Sequence, residues 1–422
     1  MMKRLGKPVI LFFLAFVARA VLRRYRPRIV MITGSVGKTS TKDAVAAVLA
    51  TRFLVKKSEK SFNSEFGVPF TVLGVGNPWS NPFAWLTLVR RTVALLILPN
   101  QYPNLLVLEV GAGKRGDLAQ ILNIARPDAL VVTRLPEIPV HVEFYASPEA
   151  VREEEFSPAY ALPSAAPLIV SADDTYALEL AAQVPTRLLT YGLGEAQVRL
   201  TDIDFYTEGG KVAGMRATVH SGGETAELVV RGSVGKTQLL PAAAAIAAAA
   251  AFDISLTDAI VALASYEPPP GRGRLFVGVN GSTIIDDSYN ASPVAVEEAL
   301  ETLAAFPTKG RRIAVLGDML ELGRYSVMEH ERIGEHASRV AELVVTVGIR
   351  AKGFVGKGTK SIFSYDDARA AATALPALIG PGDVVLVKGS QSIRTERIVE
   401  ALLADRADLP RLPRQEREWK RR

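Results

Sequence analysis

The chain has no cysteine among its 422 residues. That excludes disulfides, thiolate metal sites and cysteine nucleophiles, and it fits a reducing compartment. An excess of one charge is also small, at a net +6. It is local as well, because basic residues crowd into 3–28 and 411–422, and no aromatic-interleaved basic motif of a nucleic-acid binder occurs. No nucleic-acid partner is expected. A long apolar run is missing too. Residues 8–22, PVILFFLAFVARAVL, are strongly apolar but short for a membrane span, which needs about 20 such residues. No clear small-residue cleavage site follows to mark a signal peptide. What remains is 48% apolar and 22% charged, enough chain for two or three globular domains. The mean hydropathy of +0.17 is high for a fully soluble protein and points to some membrane-facing surface.

The chain is organised around residues 28–50. Ile29 to Thr33 form an apolar, partly β-branched run that reads as a short buried strand. Gly34-Ser35-Val36-Gly37-Lys38-Thr39 follows, and from Ser40 the apolar positions Val45, Val48 and Leu49 have helical spacing. Strand, glycine loop, lysine, hydroxyl and helix is the layout that cradles nucleotide phosphates. Backbone N–H groups and the helix N-terminus supply positive potential, Lys38 adds a point charge, and Thr39 can hold Mg²⁺. Gly34 through Ser40 are therefore the candidate nucleotide-binding residues. The full phosphate-loop pattern wants glycine at position 32, where this chain has Ile32. The plainer reading is a glycine turn with a surface lysine.

In chain order, Lys3, Arg4 and Lys7 precede the apolar segment, and Arg23, Arg24, Arg26 and Arg28 follow it. This predicts a basic, apolar N-terminal segment over 1–28, lying on a membrane surface and gripping anionic lipid. A helix packed on the domain and a true span are the alternatives. Residues 79–99 are apolar but broken by Arg90-Arg91, and read either as a core helix with an exposed arginine pair or as a second membrane-facing helix. Leu105 to Val110 is a strand with Glu109 near its end. Ligands of open α/β sheets bind beyond such ends, so Glu109 is a candidate Mg²⁺ ligand. His141 follows two prolines in a loop, where a lone histidine is usually structural or on the surface.

Residues 197–231 alternate in short β-like runs around two Gly-Gly turns, a β-rich excursion from the α/β core. Gly232 to Thr237 repeats GSVGKT. Its helix is expected to start only at Pro241, which argues against a second phosphate site. Glu267-Pro268-Pro269-Pro270-Gly271 is the best boundary. The expected architecture is α/β: a central phosphate-loop ATPase domain (29–268) with a mostly parallel sheet, then a Rossmann-like α/β domain (269–408). Its strands lie near 283–286, 313–316, 343–347 and 384–387. Residues 409–422 are expected to be a mobile charged tail.

Seven segments now carry a resemblance: TGSVGKTSTK (33–42), FNSEFGVP (62–69), LEVGA (108–112), GRGRLF (271–276), IIDDSYNASP (284–293), VLGDMLELG (315–323) with His330, and VKGSQSIRTERIV (387–399). In this order they resemble the Mur ligases, ATP-dependent amide-bond formers of peptidoglycan synthesis, and most of all the type that adds D-alanyl-D-alanine. The resemblance implies a cytoplasmic, monomeric enzyme using ATP and Mg²⁺, with a peptidoglycan nucleotide precursor and D-alanyl-D-alanine as its partners. Lys38 and Thr39 would hold the phosphates and the ion. Glu109 and His141 would be metal ligands. Arg274, or alternatively Arg272, would contact phosphate from the second domain. Asp287 and Asn290 would lie at the nucleotide, and His330, Lys388, Ser390 and Arg394 would face the incoming amine or the domain interface.

Three departures accompany it. The family carries an N-terminal domain that grips the UDP-sugar, and only residues 1–28 precede the loop strand here, so that domain is expected to be missing. The family's carbamylated lysine near a second Mg²⁺ aligns with Glu155, which would supply a carboxylate directly. The histidine and asparagine that the family places beside adenine become Thr237 and Pro241. The absence of cysteine disfavours relatives with a zinc ribbon. The competing readings are a related ligase with a polyglutamate or lipid-linked acceptor, a membrane-associated nucleotide switch or ATPase, and a non-catalytic partner of a true ligase.

Overall fold

The computed structural model describes residues 2–59, 62–79, 82–354, 362–416 and 419. Fifteen strands among the described residues form two sheets. The first comprises β1 (Arg28–Thr33), β2 (Val55–Lys57), β3 (Leu105–Glu109), β4 (Ala129–Val132), β5 (Pro167–Ser171), β6 (Arg187–Gly192), β7 (Val198–Glu208), β8 (Lys211–Ser221) and β9 (Glu224–Arg231). Their order is β2-β3-β1-β4-β5-β6-β7-β8-β9. Pairing is parallel from β2 through β7. The central strands read as unbroken apolar runs because parallel strands are covered on both faces. Alternation still sorts their side chains: Val30 and Ile32 enter one apolar core, Ile29 and Met31 the other.

Residues 198–231 are not a separate excursion. They continue the same sheet as two antiparallel hairpins. Gly209-Gly210 and Gly222-Gly223 make the two-residue turns, all with positive φ, which only glycine adopts at little steric cost.

Helix α1 (Met2–Tyr25), helix α2 (Lys38–Leu49), helix α3 (Gly67–Leu73) and helix α4 (Pro82–Ile97) surround the loop strand. On one sheet face α2 packs with the alanine-rich helix Lys236–Ala251. The methyl side chains let that helix sit close, and Ala242 to Ala249 are all buried. On the other face lie α1, α3 and α4. Leu14, Val17, Ala18 and Val21 of α1 are buried there, whereas Phe12, Phe13 and Phe16 are exposed. The N-terminal helix therefore packs on the domain through one face and presents an apolar second face. In α4, Leu88 and Leu95 are buried and the Arg90-Arg91 pair is exposed, as the core-helix reading requires, but the outer face is apolar as well. No helix among the described residues is long and apolar enough to cross a membrane.

The second sheet contains β10 (Arg274–Val277), β11 (Thr283–Asp287), β12 (Arg312–Gly317), β13 (Leu343–Val347), β14 (Ile362–Tyr365) and β15 (Val384–Lys388), ordered β10-β11-β15-β12-β13-β14. Only β10 is antiparallel to its neighbour. The apolar core that covers α2 continues into this half through Ile285, Val296 and Leu300, and Phe205 meets Phe306 edge-on at 5.4 Å. The segment expected as a mobile tail begins packed: Leu412 and Arg414 are buried, and Arg414 Nη1 donates to Glu396 Oε2 at 2.8 Å.

The second GSVGKT differs from its expectation in one respect. Its helix starts at Lys236, not Pro241, and takes the proline into its interior. The loop nevertheless has other partners. Val234 N–H donates to the Gly273 carbonyl at 2.8 Å, Leu275 N–H donates to the Gly232 carbonyl at 3.0 Å, and Ser233 Oγ donates to the Arg272 carbonyl. Its backbone is tied to the segment that enters the second sheet.

Candidate functional site

A cleft of about 810 Å³ opens beyond the carboxyl ends of β1 and β3, between the two sheets. Gly34 leaves β1 with φ +115°, and a Cβ there would stand 2.4 Å from Thr133 Oγ1, so no larger residue fits. Gly37, with φ +88°, caps α2. The first-turn N–H groups of α2, which no helical carbonyl can satisfy, form an anion cradle at this point.

Lys38 Nζ donates to the Gly34 carbonyl and stands 3.7 Å from Glu155 Oε1. Glu155 is buried, and its Oε2 accepts from Thr33 Oγ1 at 3.0 Å and from Gly34 N–H at 3.3 Å. It therefore fixes both the loop and the lysine. Thr39 Oγ1 donates to Glu109 Oε1 at 3.1 Å. Glu109 Oε2 is buried with no hydrogen-bond partner among the described residues, and Lys42 Nζ lies 3.7 Å away. Burial raises the Glu109 pKa, while Lys42, Lys38 and the Thr39 hydroxyl oppose the shift. Such a carboxylate gains stability from an added cation. Gly111 keeps the lysine's path open, because a Cβ there would be 3.2 Å from Lys38 Cε.

The opposite wall comes from the second sheet. Arg272 lies with its guanidinium 4.4 Å from the Tyr289 ring centroid, and Asn290, Ser390 and Arg394 line the same space. Arg394 takes φ +64°, and its Nε donates to Glu396 Oε1 at 2.5 Å. His141 closes the edge, with Nδ1 2.6 Å from Glu321 Oε2 across the two halves. The hydrogen bond from His141 holds the Glu321 carboxyl below its usual range.

Ser35, Val36, Gly37, Lys38, Thr39, Glu109, His141, Glu155 and Asn290 are thus gathered around one cleft. Gly34 and Ser40 shape the loop from behind it. Arg274 does not reach the cleft: Gly271 and Gly273, both with positive φ, turn the chain on either side of Arg272, and Arg274 enters β10 to pair with Glu267 at 2.6 Å. The alternative, Arg272, is the one that lines it. Asp287 is likewise withdrawn, its Oδ2 2.5 Å from the buried Lys388 Nζ. His330 is buried away from the cleft. Its Nε2 accepts from Met319 N–H at 3.1 Å, its Nδ1 lies 2.6 Å from the Ser326 carbonyl, and burial lowers its pKa, so it acts as a neutral structural group. Nor do Glu109, His141 and Glu155 converge, since no cluster of three metal-ligating side chains occurs among the described residues. Sequence reasoning missed Lys42. Its signal was spacing, because it lies four residues after Lys38 on the same helix face.

The comparisons with known proteins agree with this fold. Residues 32–249 match the family described as Mur ligase middle domain, and residues 271–391 match Mur ligase, glutamate ligase domain. The UDP-N-acetylmuramoyl-tripeptide–D-alanyl-D-alanine ligase of Bacillus subtilis is 30% identical over 394 residues, covering 92% of this chain and 78% of the relative. The Mycobacterium bovis enzyme of the same name is 32% identical over 406 residues, covering 89% and 73%. The crystal structure of MurF ligase from Thermotoga maritima in complex with ADP superposes with a TM-score of 0.77 at 29% identity, covering 93% of this chain and 83% of that one.

Proposed function

This chain belongs to the Mur ligase family of ATP-dependent ligases, and we propose that it adds D-alanyl-D-alanine to the tripeptide of a UDP-N-acetylmuramoyl precursor. One observation carries the reading: a phosphate loop and a cationic second wall face each other across a single cleft. The named activity of the relatives supports the choice of substrates.

A carboxylate is a poor acyl donor. ATP converts it to an acyl phosphate with release of ADP. The amine of the dipeptide then attacks the acyl carbon and phosphate leaves. Both steps concentrate negative charge on phosphoryl or carbonyl oxygens. The first-turn N–H groups of α2 and Lys38 stabilise that charge from one side, and Arg272 does so from the other. Lys38 exchanges its bond to the Gly34 carbonyl for phosphate oxygens, and Glu155 holds the loop during the exchange. Packing of the two halves, pinned at His141 and Glu321, excludes water from the acyl phosphate. Thr39 and Glu109 would hold Mg²⁺, as Glu109 Oε2, which has no hydrogen-bond partner among the described residues, permits. The ion would supply charge neutralisation at the phosphates. One chain supplies both walls of the cleft, which supports a monomer as the working unit, acting in the cytoplasm where ATP is found.

The test is phosphate release from ATP with and without UDP-N-acetylmuramoyl-tripeptide and D-alanyl-D-alanine, followed by mass spectrometry of the product. Release requiring both substrates, with pentapeptide formed, supports the reading. It should stop with EDTA and return with added Mg²⁺. Release indifferent to both substrates sinks the substrate assignment.

A further inference from the structure

We propose that the outer faces of α1 and α4 form a docking surface for an anionic lipid bilayer, independent of the ligase reaction. The two helices are locked together. Tyr25 Oη donates to the Leu95 carbonyl and Arg24 Nη1 to the Leu96 carbonyl, both at 2.9 Å. Each helix buries one stripe in the core beneath. On α1 this is Leu14, Val17, Ala18 and Val21, and on α4 it is Leu88, Thr92 and Leu95.

The opposite stripes are what a soluble surface lacks. Phe12 is 70% exposed and Phe83 78%, with Phe13, Phe16, Leu86 and Ile97 beside them on the same two helices. Trp79 continues the patch before α4, packed edge-on to Trp85 at 5.2 Å and itself 45% exposed. A tryptophan at the rim of an apolar face suits the level of lipid headgroups.

Charge identifies the occupant. Residues 1–42 and 66–108 contain no Asp or Glu. Lys7, Arg23, Arg24 and Arg26 flank the phenylalanines of α1, Arg90 and Arg91 interrupt α4, and all are exposed. Apolar faces on two helices that carry cations and no carboxylate match the acyl boundary and anionic headgroups of a bilayer, a combination that the mixed polar rim of an ordinary protein interface does not provide. Neither helix can span, so the protein lies on the surface. Each apolar stripe inserts, and the arginines remain at the phosphates.

The experiment is sedimentation of the full chain with vesicles of phosphatidylcholine alone or of phosphatidylcholine and phosphatidylglycerol at 3:1. Binding should be at least about tenfold tighter to the anionic vesicles and should weaken in 0.5 M NaCl. Tryptophan emission should shift to the blue on binding, and Trp79→Phe should lose most of that shift. Phe12→Glu with Leu86→Glu should abolish sedimentation while leaving the melting temperature and turnover of soluble substrates unchanged, because both side chains are about two-thirds exposed and neither lines the cleft. Absence of binding by the folded wild-type chain overturns the proposal. So does a dimer in light scattering that the double variant splits into monomers, since the patch is then an interface between copies.

Discussion

Lys38 and Lys42 sit one turn apart on α2, and their roles diverge with their surroundings. Lys38 reaches the cleft, while Lys42 is buried beside Glu109 and Asp43. Lys38→Ala should lower kcat by about 100-fold or more, because the charge that faces the reacting phosphates is lost. Steady-state phosphate release checks this. Two arginines two residues apart give a contrasting pair. Arg272→Ala should reduce kcat/KM by about tenfold or more, whereas Arg274→Ala should cost about 1–2 kcal/mol of stability through its buried stem and leave kcat near wild type. Both arginines were visible in the sequence. Which one enters the cleft depends on the positive φ of Gly271 and Gly273, which no local pattern states.

Asp286 offers a pH test at the same scale. Burial pushes its carboxyl up from 3.8 to about 6, against two hydrogen bonds from Ser288 that favour the charged form. The folded state therefore holds a proton that the unfolded chain has already released. Stability from this group is full below about pH 4, falls as pH rises toward 6, and is constant above. The loss is on the order of 2–3 kcal/mol. Asp286→Asn removes the titration, so the stability gap between wild type and variant should change across that window and be flat above it. Urea midpoints at pH 4, 5, 6 and 7 measure this, and a gap that does not move with pH refutes the account.

At the scale of elements, the two copies of GSVGKT show that a hexapeptide does not determine its own ligand. The first lies between β1 and α2 with its helix N-terminus open to the cleft. The second has its backbone hydrogen-bonded to Gly273 and Leu275 and its Ser233 hydroxyl to the Arg272 carbonyl. Lys236→Ala should accordingly leave ATP turnover within about twofold of wild type, against the collapse expected for Lys38→Ala. The strands were legible because buried parallel strands are short apolar runs between glycine or polar breaks. The helix after the second loop was not, because a proline was read as a start although it lies inside the helix from Lys236.

For the whole molecule, the cleft exists only while its two halves stay together. Beyond the apolar contact around Phe205 and Phe306, ion pairs between Arg134 and Glu298 and between His141 and Glu321 join them. All four groups are partly solvent-exposed, so each pair adds little to stability and more to orientation. Replacing Glu298 and Glu321 with alanine should increase the radius of gyration in small-angle scattering without nucleotide. It should also lower kcat several-fold, with nucleotide restoring the compact form.

Local chemistry alone determined the phosphate loop, most of the strands and the α/β class, and the resemblance of seven segments added the reaction family. The local features rest on spacing, on glycine turns or on apolar runs, and those act over a few residues. Tertiary structure decided the rest. It set Arg272 rather than Arg274 at the cleft, paired His141 with Glu321 rather than in a cluster with Glu109, retired Asp287 and His330 to buried partnerships, and left α1 and α4 each with one apolar face outward. These outcomes depend on which distant side chains and carbonyls compete for each group, and that competition is settled only when both halves are packed.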